Sequence, residues 1–410
     1  MHNMNVETNP SWNKTPLAMT PSSKSGLIVA IDASRNRSGG AKTHLIGILT
    51  AADIRQHGIA QVHVWSYRSL LQLLPDVSWL VKHNPPALEK SLPCQMWWQY
   101  KNLPKELRAH GCDVLLSTDA GSVCRYRPSV VMSRDMLSFE GSETKRYPLW
   151  SFARLRLILL RYMQVRSLRS ASGAIFLTQY ASDVIQKYTG HLSKVRIIPH
   201  GIGGQFRQCP SFGLWKGSKK NIRCVYVSNA DMYKHQWHVI TAISKLRQRG
   251  YSLLLRLVGA ASGPAKELVD QAINQSDPRR EFIELLDAVP YKDIPSHLAH
   301  ADIFIFASSC ENMPNTLVEA MASGLPIACS NRGPMPEILQ EAGVYFDPED
   351  PNTIAEAIEK LILDDDFRHM VARKAMEISH QYSWSRCARE TLIYLADISS
   401  NMNMSKDRLV

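Results

Sequence analysis

The sequence predicts an α/β protein built as two Rossmann-like domains, and three observations support this. Short apolar runs rich in β-branched residues alternate with longer helical stretches from residue 27 onward, the order expected of parallel strands joined by crossover helices. The alternation pauses at PHGIGGQF, residues 199–206, and restarts with the apolar run at 223–228. Charge divides at the same place: residues 1–200 hold 25 Lys and Arg against 12 Asp and Glu, whereas residues 201–410 hold 23 against 25. The boundary is set near residue 205, giving a flexible polar tail over 1–25, a first domain over 26–204, a second over 205–382, and a closing helix with its tail over 383–410.

Composition narrows the class. A chain of 410 residues with 45% hydrophobic content buries a sizeable core. No run reaches about 18 uninterrupted apolar residues, so no spanning helix is expected. The first 26 residues lack the apolar centre of a signal peptide, and a cytoplasmic protein is expected. Eight cysteines are scattered without a CxxC pair, which excludes a disulfide framework and a cysteine zinc site. No His/Cys cluster of ligand spacing occurs, and neither a metal nor another cofactor is expected. The basic first half is expected to meet an anionic partner. Nucleic acid is not that partner, because no RNA-binding signature with interleaved aromatics is present.

In chain order, LIVAI at 27–31 is the first strand, and a loop with Gly39 and Gly40 leads into a long amphipathic helix. A glycine pair there lets a ligand approach the backbone, and a tight turn explains it equally well. Residues 62–65 form the second strand. The stretch 67–100, with Trp79, Trp97 and Trp98, resists placement; WWQY is read as core in preference to an aromatic platform. Strands follow at 113–117 and 130–133, the second entering a loop that carries Arg134 and Asp135. From Thr144 to Ser182 there is no acidic residue, against seven Lys and Arg. With Trp150, Phe152 and several leucines this is a basic, apolar helix suited to an anionic membrane surface, although a half-buried helix with solvated arginines fits the untidy wheel too. A strand at 173–177, a helix at 179–188 and a strand at 195–198 close the first half.

The second half has KGSKKN at 216–221 as a surface loop, a strand at 223–228, and a loop with Lys234 entering a helix. Strands at 253–258 and 282–286 follow. Residues 301–339, ADIFIFASSCENMPNTLVEAMASGLPIACSNRGPMPEIL, read as strand, loop, helix, strand and loop. Thr316 and Glu319 have the spacing of a capping box, so the helix is started there and stopped at Gly324. Loops at the carboxyl ends of parallel strands are where ligands bind in open α/β sheets, and a helix N-terminus favours phosphate. Glu311 and Glu319, eight positions apart, would flank such a ligand and accept hydrogen bonds from sugar hydroxyls. Glu319 also has a bland reading, as the reciprocal cap of Thr316. Helices at 353–363 and 366–381 and the segment YSWSRCARETLIYLADI complete the chain.

ENMPNTLVE, with the following SGLPIACSNRGPMPEIL, resembles the E-x7-E signature of the retaining glycosyltransferases of family 4, of bacterial surface-polysaccharide type, which adopt the GT-B fold. PHGIGGQF is similar to that family's hinge, and Tyr382-Ser-Trp384 to its kink before a last helix that packs back on the first domain. The resemblance implies contacts to the donor sugar from Glu311, to the ribose from Glu319, and to the diphosphate from Met313, Pro314, Asn315 and Thr316. It places Gly39 and Gly40 near donor phosphates and acceptor, and Lys234 on the diphosphate. Ser228 and Asn229 stand where the family commonly has Gly-Arg, so Arg207 or Lys234 alone would supply the charge. A backbone contact to the base is implied for Val289 or Pro290. Arg134 and Asp135 stand where many members have His-Asp; Arg134 cannot act as a base, and Asp135 either binds an acceptor hydroxyl and takes its proton or only caps its loop. His44 is assigned to the acceptor side, with the helix surface as its other reading.

The expected protein moves a hexose, with mannose preferred, from a nucleotide-diphosphate sugar to a glycan or lipid-linked acceptor, using Asp135, Lys234 and Glu311 and no metal. It would be cytoplasmic, at the inner face of the membrane. A nucleotide-sugar epimerase of the same fold would need acid and base groups in the cleft and no acceptor surface. A non-catalytic nucleotide-sugar binder would have no use for Glu311 and Lys234.

Overall fold

The computed structural model describes residues 26–208, 212, 215 and 221–407. The tail assigned to 1–25 and the surface loop at 216–220 lie outside the described residues. The first half runs β1 (Leu27–Asp32), α1 (Gly39–Ala51), β2 (Ile59–Trp65), α2 (Arg68–Leu71), β3 (Leu80–His83), α3 (Leu92–Lys101), α4 (Leu103–Ala109), β4 (Val114–Ser117), β5 (Ser129–Met132), α5 (Gly141–Lys145), α6 (Phe152–Ser170), β6 (Gly173–Phe176), α7 (Gln179–Thr189) and β7 (Val195–Ile197). The second runs β8 (Ile222–Val227), α8 (Gln236–Gln248), β9 (Leu253–Val258), α9 (Gly263–Ser276), β10 (Ile283–Leu286), α10 (Ile294–Ala299), β11 (Ile303–Phe306), α11 (Asn315–Ala322), β12 (Ile327–Ser330), α12 (Met335–Leu339), β13 (Val344–Phe346), α13 (Pro351–Leu363), α14 (Asp365–Ser379) and α15 (Trp384–Asp407).

Each half folds around its own parallel sheet, ordered β3-β2-β1-β4-β5-β6-β7 in one and β10-β9-β8-β11-β12-β13 in the other. The strand order reverses between β1 and β4 and again between β8 and β11, and loops leaving a sheet at such a switch point diverge to leave a crevice. Both crevices face the same interdomain space. The central strands are apolar on both faces because helices cover both, as in IFIF of β11 and GAIF of β6, all buried.

Two features of residues 67–100 differ from the expectation. β3 is an additional strand, without a clear signal because LVKH is short and lies at the sheet edge with only Leu80 fully buried. WWQY splits: Trp98 is core, whereas Trp97 is exposed, because α3 covers the sheet with one face only.

The chain crosses between domains twice at one place. Ile202 bridges to Ser383, and α15 then enters the first core, where Cys387, Leu392, Leu395 and Ile398 pack with β1, β4 and α1. A Cβ on Gly201 would land in the backbone of Ser383 and Trp384, which has no rotamer with which to yield. Gly201→Ala is therefore expected to destabilise by about 3 kcal/mol, at the upper end for overpacking. A thermal unfolding midpoint unchanged from wild type would show that the two crossing segments part without cost.

Candidate active site

The two switch points enclose a cleft of about 890 Å³ between the domains. Its first-domain wall carries Arg35, Gly39, Gly40, Asp119, Arg134, Asp135 and Arg156. Its second-domain wall carries Lys234, Tyr291, Glu311, the segment Met313 to Thr316, and Glu319, with Ser228, Asn229 and Val289 beside them. Apart from His44, Arg207 and Pro290, every candidate residue from the sequence lines this one space.

The loop after β11 turns into α11 at Asn315, with Pro314 as the flanking residue and no side chain capping the helix. This corrects the capping-box reading. Proline brings φ close to the helical value but carries no acceptor, so the first-turn amides face the cleft without a side-chain partner. Other helices do have such caps, Ser38 for α1 and Thr178 for α7. Glu319 does not reach back to the helix start. Its Oε1 accepts a hydrogen bond of 2.8 Å from the Tyr291 hydroxyl, and its Oε2 is buried with no partner among the described residues. Burial, only partly offset by that hydrogen bond, raises its pKa to about 7.

Lys234 ends a short helical turn whose start is capped by Asp231, which accepts from the Met232 amide at 2.8 Å. Its carbonyl accepts from the Tyr226 hydroxyl at 2.8 Å, fixing the backbone. The ammonium pairs with Glu311 Oε1 across the cleft floor and sits over the Tyr233 and Phe306 rings, 5.0 and 5.5 Å from their centroids. Arg207 does not contribute. Its guanidinium is spent on Ser379, donating to the hydroxyl at 2.9 Å and to the carbonyl at 2.8 Å. The further cations of the cleft come from the first domain.

There, Arg134 donates to Asn36 Oδ1 at 2.7 Å while its Nε is buried without a partner among the described residues. Burial lowers its pKa to about 10, leaving it charged at neutral pH. Asp135 caps its loop, Oδ1 accepting from the Leu137 amide at 3.1 Å, and its carboxyl also lines the cleft. Burial raises its pKa. His44 is neither at the helix surface nor in the cleft. It is 2% exposed, its ring edge-on to His200 at 4.4 Å and its Nε2 3.6 Å from Cys387 Sγ. The face of α1 that carries it is covered by α15, which keeps the ring out of the cleft lining. His200, which in the sequence is only part of a hinge, lines the cleft in its place. Burial, with the Arg134 charge adding to it, depresses its pKa to about 3 and keeps the imidazole neutral. Sequence reasoning also misses Arg35, Arg156, Tyr233 and Tyr291, because each stands in a loop or helix with no motif around it.

The 307–314 loop is held by both domains. Thr178 Oγ1 donates to the Asn312 carbonyl at 2.9 Å, Ser309 Oγ donates to Glu143 Oε1 at 2.8 Å, and the His200 amide approaches Met313 Sδ at 3.1 Å. Both carboxylate oxygens of Glu337, in the first turn of α12, accept from the Gln179 and Tyr180 amides at 2.8 Å and so cap α7 across the gap.

Comparison with known proteins agrees with this geometry. Sucrose-phosphate synthase from Thermosynechococcus elongatus has the same architecture, with a TM-score of 0.69 over 93% of this chain and 99% of that one at 14% identity. Anabaena Alr3699/HepE in complex with UDP and glucose gives 0.66 over 90% and 99% at 20% identity. The fold is GT-B. In sequence, residues 215–377 match the family model for glycosyl transferases group 1, covering most of the second GT-B domain. The O-antigen chain mannosyltransferase B of Escherichia coli is 32% identical over 114 residues, which are 28% of this chain and 30% of that relative. The chain therefore spans less than a third of that relative's length in the matched region.

Proposed function

We propose that this protein is a retaining glycosyltransferase of the family 4 type, moving a hexose from a nucleotide-diphosphate sugar to a hydroxyl of a lipid-linked or polysaccharide acceptor. The observation that carries this reading is the set of polar groups that the second-domain wall turns to one space. They are a helix N-terminus with no side-chain cap, the Lys234 ammonium held by Glu311, and Glu319 Oε2, which has no partner among the described residues. Diphosphate suits the first two, and ribose hydroxyls suit the third. Glu311 takes sugar hydroxyls once a diphosphate draws Lys234 away from it. As the glycosidic bond breaks, the leaving diphosphate gains negative charge, which Lys234 and the first turn of α11 stabilise more than they stabilise the bound donor. Arg134 and Asp135 hold the acceptor hydroxyl on the opposite wall. The leaving phosphate takes the acceptor proton, so the donor wall needs neither a protein base nor a divalent ion. Mannose as donor sugar draws support from the name of the Escherichia coli relative.

The test is a thermal-shift panel of GDP, UDP, ADP and their sugar derivatives, in chelator, on wild type and Glu319→Ala. One nucleotide is expected to raise the midpoint of the wild type alone. A flat response to every nucleotide would remove the donor site.

The acceptor side is assigned to an anionic membrane surface in the cytoplasm. Leu157, Gln164, Ser167 and Leu168 of α6 are buried, whereas Phe152, Leu155, Leu159 and Tyr162 form one exposed stripe at helical spacing, extended by Leu149 and by Trp150 at 98% exposure. Arg156 of the same helix lines the cleft, so a bilayer under this stripe would present its headgroups at the cleft mouth. Among the described residues no helix is long and apolar enough to cross a membrane. Sedimentation with vesicles is expected to show at least roughly tenfold tighter binding to phosphatidylglycerol-containing than to phosphatidylcholine vesicles, weakened by salt. The double variant Trp150→Ala, Phe152→Ala should lose it. Equal binding to both vesicle types would dismiss the anionic surface.

A further inference from the structure

Three histidines outside the cleft lining come together at the free edge of the first sheet. His63 lies on β2, His83 ends β3, and His110 follows the last residue of α4. Register places Trp65 opposite His83 and Val81 opposite His63. Because side chains alternate along a strand, His63, Trp65 and His83 share the face that α4 covers. Trp65 Nε1 donates to Glu106 of α4 at 2.7 Å, which brings the end of that helix, and with it His110, over the two strand histidines.

One ring nitrogen from each histidine lies within 4.8 Å of the other two. His63 Nδ1 and His83 Nε2 are 3.0 Å apart. The remaining nitrogen of His63, Nε2, is 3.3 Å from Gln61 Oε1, which has no proton to give. With the proton on Nε2 donated to Gln61, the Nδ1 lone pair points into the cluster. This is how a ligating histidine is normally oriented by its outer partner. The His83 ring is held flat against Trp65, with centroids 4.3 Å apart and planes 10° from parallel.

We propose that His63, His83 and His110 bind one divalent transition ion of the zinc class, which clamps β2, β3 and the end of α4 together. Nitrogens about 2.1 Å from a common ion stand about 3.4 Å apart, so side-chain rotation alone closes the set. Three neutral imidazoles select zinc, copper, nickel or cobalt over magnesium and calcium. His110 is exposed, so the fourth position opens to water. The clamp fastens residues 66–110, where the four-residue α2 and the four-residue edge strand β3 lie. It is independent of the donor site and of the reaction assigned there.

The experiment uses the untagged full chain, stripped with chelator. Calorimetric titration with Zn²⁺ is expected to show one saturable equivalent. Co²⁺ should give the visible d–d bands of a four-coordinate nitrogen site, bleached by Zn²⁺, and Mg²⁺ should give no response. Zinc should raise the unfolding midpoint of the wild type. His110→Gln, at an exposed position, should weaken zinc at least about tenfold, and His83→Gln should abolish binding. Both variants keep any nucleotide-induced shift of the wild type. No saturable binding to the wild type, or unchanged affinity in both variants, would overturn the site and leave the three rings as a stack on Trp65.

Discussion

Lys234→Ala is expected to lower kcat by about three orders of magnitude, with KM for the nucleotide sugar changing far less. The ammonium pairs with the Glu311 carboxylate in the cleft that the N-terminus of α11 also lines, where the leaving diphosphate of the proposed reaction would collect charge. Its attraction grows as the bond breaks, so its loss falls on the transition state more than on the bound donor. The substitution also acts on stability. The Glu311 side chain is only 15% exposed and would be left without its cation. Such an arrangement typically costs about 3 kcal/mol. The double variant Lys234→Ala, Glu311→Gln removes that stranded charge. It should recover most of the thermal midpoint and none of the activity. Recovery of activity together with stability would mean that Lys234 holds the loop in place and has no part in charge stabilisation.

Nucleotide affinity is expected to rise with pH between 6 and 8, by about tenfold, through Glu319. Burial raises this carboxyl to about 7, whereas the unfolded chain titrates it near the ordinary value of 4.5. In the free protein the raised folded pKa favours the protonated form, so this group's contribution to stability is full below about 4.5 and is lost as pH rises toward 7. A ligand that donates hydroxyls to Oε2 reverses the preference. It binds the ionised form, draws the pKa down, and is therefore bound more tightly on the alkaline side. Calorimetry at pH 6, 7 and 8 on wild type and Glu319→Gln measures this. The diphosphate's own titration is common to both proteins and cancels in the comparison. Glu319→Ala should lose about 2 kcal/mol of affinity at pH 8, the strength of hydrogen bonds to a charged group. Matching pH profiles for wild type and Glu319→Gln would place the ribose elsewhere.

Much of this site is legible in the sequence, for a local reason. Each strand, the loop after it and the helix that follows are consecutive in the chain. The parallel topology then dictates that all such loops emerge on one edge. Gly39, Gly40, Arg134, Asp135, Lys234, Glu311 and residues 313–316 all stand on loops or helix starts of this kind, so finding the strands is enough to bring them together. The residues that escape such reasoning share the opposite property. His200 reads as hinge because its role depends on where the crossing segment lies relative to α1. Tyr291, the partner of Glu319, lies 28 residues before it in a turn with no pattern of its own. The three edge histidines are far apart in sequence, and only strand register and the position of α4 make them neighbours.

By itself the sequence determined the two-domain α/β fold, the strands of both sheets apart from the edge strands β3 and β13, and the loops that would face a ligand. These depend on backbone hydrogen bonding and apolar periodicity, which act over a few residues at a time. Only the tertiary structure decided which face of each element is covered and by what. His44 turned from a surface candidate into core because α15 packs over it from 343 positions away. Of the two readings of Glu319, ribose contact and helix cap, the second falls away because the Tyr291 hydroxyl takes one oxygen and burial leaves the other without a partner among the described residues. Burial and pairing between distant segments are collective properties of the packed chain, and no local pattern encodes them.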